Sequence, residues 1–110
     1  MIQDTITKIE ENIRDAKNID DLKKQELLGL VVSLKKEVIE LSTTNKEDAE
    51  TVANFTKAST HEITKTEKNK NLIDLSLKGL SESVNKFEAS HPDLVSVVNS
   101  ICVSLSNSGF

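Results

Sequence analysis

The chain of 110 residues carries one cysteine, one proline, no tryptophan or tyrosine, and only three glycines and three phenylalanines. Each scarcity removes a class of protein. A lone Cys102 forms no internal disulfide, and two histidines beside it leave too few donors for a structural zinc site. Gly29, Gly79 and Gly109 stand apart, so no glycine-rich loop is available to cradle phosphates. Stacking aromatics are scarce and no Lys/Arg run exceeds a pair. With 14 basic against 18 acidic side chains and a net charge of −4, the clustered basic face that nucleic-acid binding needs is missing. No apolar run reaches the ~18 residues of a membrane span. The N-terminal segment MIQDTITKIEENIRD lacks the apolar core of a secretory signal. Together these absences predict a protein of the cytoplasm, without cofactor, metal, nucleic acid or membrane span as partner.

What is present is helical periodicity. Charged residues make up 29 % of the chain and apolar residues 36 %, and the apolar ones fall in regular stripes. Ile2, Ile6, Ile9, Ile13 and Ala16 alternate spacings of four and three, which predicts a first helix over residues 2–17 with a narrow apolar seam. The segment 17–21 breaks the pattern and offers Asp20 as N-cap of a second helix, over 21–42. That helix presents Leu27, Leu30, Leu34, Val38 and Leu41, widened by Leu28, Val31 and Ile39. Its width predicts contact with more than the first helix, and Gly29 would allow another helix to come close.

Thr44 followed by Glu47 has the form of a capping box opening a third helix. From there one register runs unbroken through Ala49, Val52, Thr56, Ser59, Ile63, Thr66, Lys70, Ile73, Leu77, Leu80, Val84 and Phe87. Read literally it is one helix of residues 46–88, about 65 Å long. The same residues admit a break at Asn69-Lys70-Asn71, with Asn71 capping a new start; the lack of proline there favours continuity. His91-Pro92 stops the chain, and Ser90 as N-cap with Pro92 in the first turn begins a fourth helix over 92–107, ended by Gly109. Its apolar face is Leu94, Val95, Val98, Ile101, Cys102 and Leu105. The expected architecture is all-α and a single domain over 1–110. It comprises an antiparallel helical hairpin, one long or kinked helix and a C-terminal helix, packed as a bundle or coiled coil.

The fourth helix is the informative one, because residues 94–110 contain no Asp, Glu, Lys or Arg. Opposite its apolar stripe lie Ser96, Ser100 and Ser104, with Asn99 and Asn107 beside them. Small residues at this spacing admit a second backbone and hydrogen-bond across the seam. These five residues form the expected interface; the plain alternative is a central helix surrounded by its own domain. Other motifs carry less. Glu88-Ala89-Ser90-His91 has the spacing of a di-iron bundle ligand pair, but no second copy exists and His91 abuts Pro92, so it reads as a residue that caps or packs on the fourth helix. His61-Glu62 lacks the second histidine of a zinc protease, and Cys102 has no sequence-near basic neighbour and reads as a small hydrophobe. No nucleophile-base or acid-base set is visible, so no enzyme is expected.

The strings Phe87-Glu88-Ala89-Ser90-His91-Pro92, Leu94, and Leu105-Ser106-Asn107-Ser108-Gly109-Phe110 resemble the C-terminal signature of a small bacterial domain-of-unknown-function family, with FEASHP, an apolar helix, and LSN-x-G before an apolar residue. The resemblance implies a helical bacterial protein and transfers no catalytic residue. The polar stretch around 50–71 looks like an extension beyond the shorter members, and an apolar last residue implies that Phe110 is tucked in. The reading is a non-enzymatic interaction module that self-associates as a dimer or higher oligomer, with an unidentified protein partner also open. Three short helices cannot cover both sides of a 65 Å one, so a second chain is its natural cover. The rival reading is a small-ligand or metal carrier with its site inside a four-helix bundle.

Overall fold

The isoleucine stripe of the N-terminal segment becomes α1 (Ile2–Asp15), with Ile6, Ile9 and Ile13 buried. A computed structural model describes residues 1–108, which form five α-helices: α1, α2 (Asp21–Ser42), α3 (Lys46–Thr64), α4 (Lys70–Val84) and α5 (Pro92–Ser108). A 3-10 turn at Asn85–Phe87 closes α4. Between α1 and α2 the chain is anchored by the buried Ile19. Lys24 Nζ donates to the Arg14 carbonyl at 2.9 Å, closing the C-terminal end of α1. Asp20 caps α2 as its position demands, its carboxylate accepting from Lys23 N at 2.8 Å. Leu27, Val31, Leu34, Val38 and Leu41 form the buried face of α2, so Val31 and not Leu30 lies on the main stripe.

The long third helix does not form. α3 ends at Thr64 and α4 begins after Asn69, whose side chain accepts from Leu72 N at 3.2 Å; the cap is Asn69, two residues before the expected Asn71. The physical reason lies in the stripe itself. Ala49, Val52, Thr56, Ser59 and Ile63 are buried on one side of the break, and Ile73, Leu80, Val84 and Phe87 on the other. Thr66 and Lys70, the stripe members at the break, are exposed. A straight helix would leave the two apolar stretches about 65 Å end to end, whereas folding back lets them cover each other. The molecule is 37 Å along its longest axis. The argument that a long helix needs a second chain to cover it therefore falls.

Folded back, α3 becomes the central helix, in contact with all four others, and α1, α2, α5 and α4 close around it. That position explains its composition. Ala49, Ala53, Thr56, Ser59 and Thr60 are buried and small enough for four neighbours to approach. Their hydroxyls stay satisfied by bonding back to the preceding turn: Thr56 Oγ1 donates to Val52 O at 2.9 Å, Ser59 Oγ to Phe55 O at 2.8 Å and Thr60 Oγ1 to Thr56 O at 2.8 Å. Close approach happens at Gly79 of α4, where the Phe55 ring of α3 lies so near that a methyl group would overlap it; beside Gly29 no atom lies within 4 Å of such a methyl. The approach expected at Gly29 is made at Gly79 instead.

Two further caps differ from expectation. Asn45, not Thr44, occupies the N-cap of α3; Thr44 Oγ1 bonds instead to Asn45 Oδ1 at 2.8 Å, so the Thr44-Glu47 box does not open the helix. Pro92 is the first residue of α5 as expected, but Ser90 lies one residue too early to cap it. Ser90 Oγ is 3.0 Å from His91 Nδ1, and the His91 carbonyl accepts from Val95 N. His91 also packs edge-on against Phe87, ring centroids 5.6 Å apart, which gives it a structural role at the turn. The expected stop at Gly109 and the tucked-in Phe110 lie outside the described residues.

Candidate functional site

α5 buries Leu94, Val98, Ile101 and Leu105, with Val95 and Cys102 half-buried, against α2 and α4. The outer edge of its contact with α2 lies at the surface. There a groove of about 630 Å³ is lined from α5 by Asn99, Ser100, Val103, Ser104 and Asn107, and from α2 by Lys23, Gln25, Glu26, Gly29 and Leu30. Four of the five residues expected to form an interface therefore line one surface. Ser104 is 3 % exposed and belongs to the α2–α5 seam, while Asn99, Ser100 and Asn107 are exposed; Ser96 is exposed as well but does not line the groove. The serine row is thus split between an internal seam at Ser104 and open surface at Ser96 and Ser100. α5 is not a central helix.

The structure adds residues that sequence reasoning left out. Val103 is 61 % exposed on the outward side of α5. A detectable signal existed, since Ser96, Ser100, Val103 and Asn107 alternate spacings of four, three and four on one stripe. On α2, Leu22, Gly29, Val32 and Ile39 share a second, outward stripe, with Leu22 80 % and Val32 61 % exposed. Nothing charged lies on α5 between 94 and 107. The nearest formal charges in the groove are Lys23 and Glu26, which pair with each other at 3.1 Å on the rim. The surface thus combines exposed aliphatic side chains, hydroxyls and amides, and a patch of bare backbone at Gly29.

Elsewhere the chemistry is sparse. Among the described residues no three His, Cys, Asp or Glu gather closely enough to hold a metal ion. Glu88 is exposed and His91 faces Phe87, so the di-iron-like spacing has no partner ligands beside it. Burial pushes the Cys102 thiol above its ordinary value of about 9, and its sulfur lies 3.9 Å from the Leu77 carbonyl, which keeps it in the unreactive thiol form. Glu62 pairs with Lys65 at 2.9 Å at the end of α3, and His61 is exposed. No helix among the described residues is long and apolar enough to cross a membrane.

Fold and surface together define a five-helix bundle with a partly apolar two-helix face that carries no charge on its α5 side. Residues 29–110 match the family described as Domain of unknown function (DUF4404), and the chain belongs to that family. The match begins at Gly29, so it takes in most of α2 and all of α3, α4 and α5, including the polar stretch around 50–71. No curated protein and no solved structure matches the chain.

Proposed function

We propose that the chain is a non-enzymatic interaction module that self-associates through the face formed by α2 and α5. The observation that carries this reading is that α5 exposes Val103, Ser100, Asn99 and Asn107 to solvent with no charged residue among them, in a chain that is 29 % charged. A helix face without charge costs less to desolvate than a charged one, so it is the more readily covered by a partner. A second copy is the fitting cover on two grounds. Each copy carries a net charge of −4, whereas the α5 side of this face carries none and the two α2 charges in the groove, Lys23 and Glu26, are paired with each other. It is also self-complementary in relief: Val103 projects from α5 while Gly29 leaves a hollow on α2, as an isologous contact requires. Two neighbouring helices over the length of α5 present roughly 25 by 20 Å, about 500 Å². That approaches the roughly one tenth of its surface, here 6304 Å², that a small protein commits to a specific contact.

Light scattering at micromolar concentration tests the reading. The expected result is a dimer or higher oligomer for the native chain. Val103→Lys and Ser100→Lys should return a folded 12.1 kDa monomer whose own stability, compared with the native chain diluted to monomer, is unchanged to within about 0.5 kcal/mol, since both side chains are exposed in the single chain. A native chain that stays monomeric throughout, or variants that associate as before, would overturn it.

A further inference from the structure

The stripe that runs in phase through the α3–α4 connection is not required by a hairpin. Two helices that fold back on each other set their buried faces independently, and the connection absorbs any offset. Here Ile63, Thr66, Lys70 and Ile73 keep the three-four alternation across residues 65–69, so a helical connection would put the buried faces of α3 and α4 on one continuous stripe. The connection, Lys65-Thr66-Glu67-Lys68-Asn69, contains neither proline nor glycine, and Lys and Glu are good helix formers. Its ends turn at Lys65 (φ −63°, ψ 147°) and at Asn69 (φ −117°, ψ 107°), where the Asn69 side chain also caps α4. Lys65 reaches a helical conformation by rotation about ψ, and Asn69 by rotation about ψ with a smaller change in φ. α4 and α5 in turn dock on α3 and α2 through surfaces any second copy also presents: Phe55 on Gly79, the Asp48–Lys86 ion pair at 3.0 Å, and Cys102 beside Leu77 within the exchanged unit.

We propose that the α3–α4 seam also forms between chains: residues 65–69 straighten into helix, and two copies exchange their α4–α5 halves. The exchanged dimer keeps the helix–helix contacts of the monomer, gives up the Asn69 cap of α4 and adds helical hydrogen bonds across the connection, which makes such exchange a low-cost route to dimers. It uses the α3–α4 seam, does not need the α2–α5 face, and stands or falls separately from it.

The test places one spin label per chain, in a Cys102→Ser background, at Asp48→Cys in one preparation and Lys86→Cys in another. The two are unfolded, mixed and refolded together at high concentration. Exchange brings position 48 of one chain next to position 86 of the other, giving an interchain distance below about 20 Å. Within one exchanged chain the same positions lie about 57 Å apart along the straightened helix. Replacing Thr66→Ala with Asn69→Ala, which favours helix and removes the α4 cap, should raise the short-distance fraction several-fold; Glu67→Pro should abolish it. Absence of the short distance in both the native and the alanine connection would overturn the proposal, as would its persistence with Glu67→Pro. Association through α2 and α5 alone leaves positions 48 and 86 of different chains far apart and counts against exchange.

Discussion

At the scale of single residues, the two helical glycines among the described residues are a matched pair with opposite environments. Gly29 faces open space and Gly79 faces the Phe55 ring. Alanine in a helix interior gains about 0.5–1 kcal/mol over glycine, and Gly29→Ala should show that gain in a urea melt of the monomer while weakening association. At Gly79 the same propensity gain meets a steric overlap. The ring, 37 % exposed, must swing off α4 and give up its packing, and overpacking of this kind costs about 1–3 kcal/mol. Gly79→Ala alone should therefore destabilise by about 1 kcal/mol, and Gly79→Ala should become stabilising when made on top of Phe55→Ala. Equal gains at both glycines would mean that the Phe55 ring leaves Gly79 at no cost. Sequence alone marked Gly29 as the approach point, in the most apolar segment of the first half of the chain; what meets a glycine is a fact about the neighbouring element.

At the scale of elements, the caps divide by whether their geometry is local. Asp20 reaches Lys23 N within its own turn, so the sequence displays it without help. Asp20→Ala should cost about 1 kcal/mol in thermal or urea unfolding, within the ~0.5–2 kcal/mol range of N-cap losses. Thr44→Ala should change stability by less than about 0.5 kcal/mol, because Thr44 is exposed and bonds only to its neighbours Leu41 and Asn45. A cost at Thr44 equal to that at Asp20 would restore the capping box. The boundaries of α1, α2 and α5 were readable to within two residues from periodicity and punctuation. The break between α3 and α4 was readable only as the less favoured alternative at Asn69–Asn71, because Lys65 to Asn69 contain no residue that forbids helix and the register does not slip. Burial made the decision, in favour of packing Ile63 and Ile73 in one core.

At the scale of the whole molecule, the α2–α5 face lacks formal charge on α5, so the association proposed for it should respond to salt as apolar contacts do. Raising NaCl from about 0.05 to 1 M shortens the Debye length from well above 10 Å to about 3 Å. The oligomer should persist or tighten over that range, since screening also weakens the repulsion between copies of charge −4. Dissociation with rising salt, followed by analytical ultracentrifugation, would point to a charged contact elsewhere on the bundle. Four of the five interface residues drawn from sequence came together on one groove because one helix face is a local property. Its other wall, Gly29 and Leu30 of α2, lies about 70 residues away in the chain and could be paired with α5 only by folding.

The division between the two kinds of information follows the range of the forces. Helical periodicity, the uncharged outer face of α5 and the cap at Asp20 depend on residues within a few turns of each other, and the sequence by itself determined them. The fold-back at residues 65–69, the central place of α3 and the meeting of Phe55 with Gly79 were decided only by the tertiary structure. Each depends on which apolar faces cover one another, and that choice is made by burying Ile63, Ile73 and Leu80 together rather than by any rule readable at the turn itself.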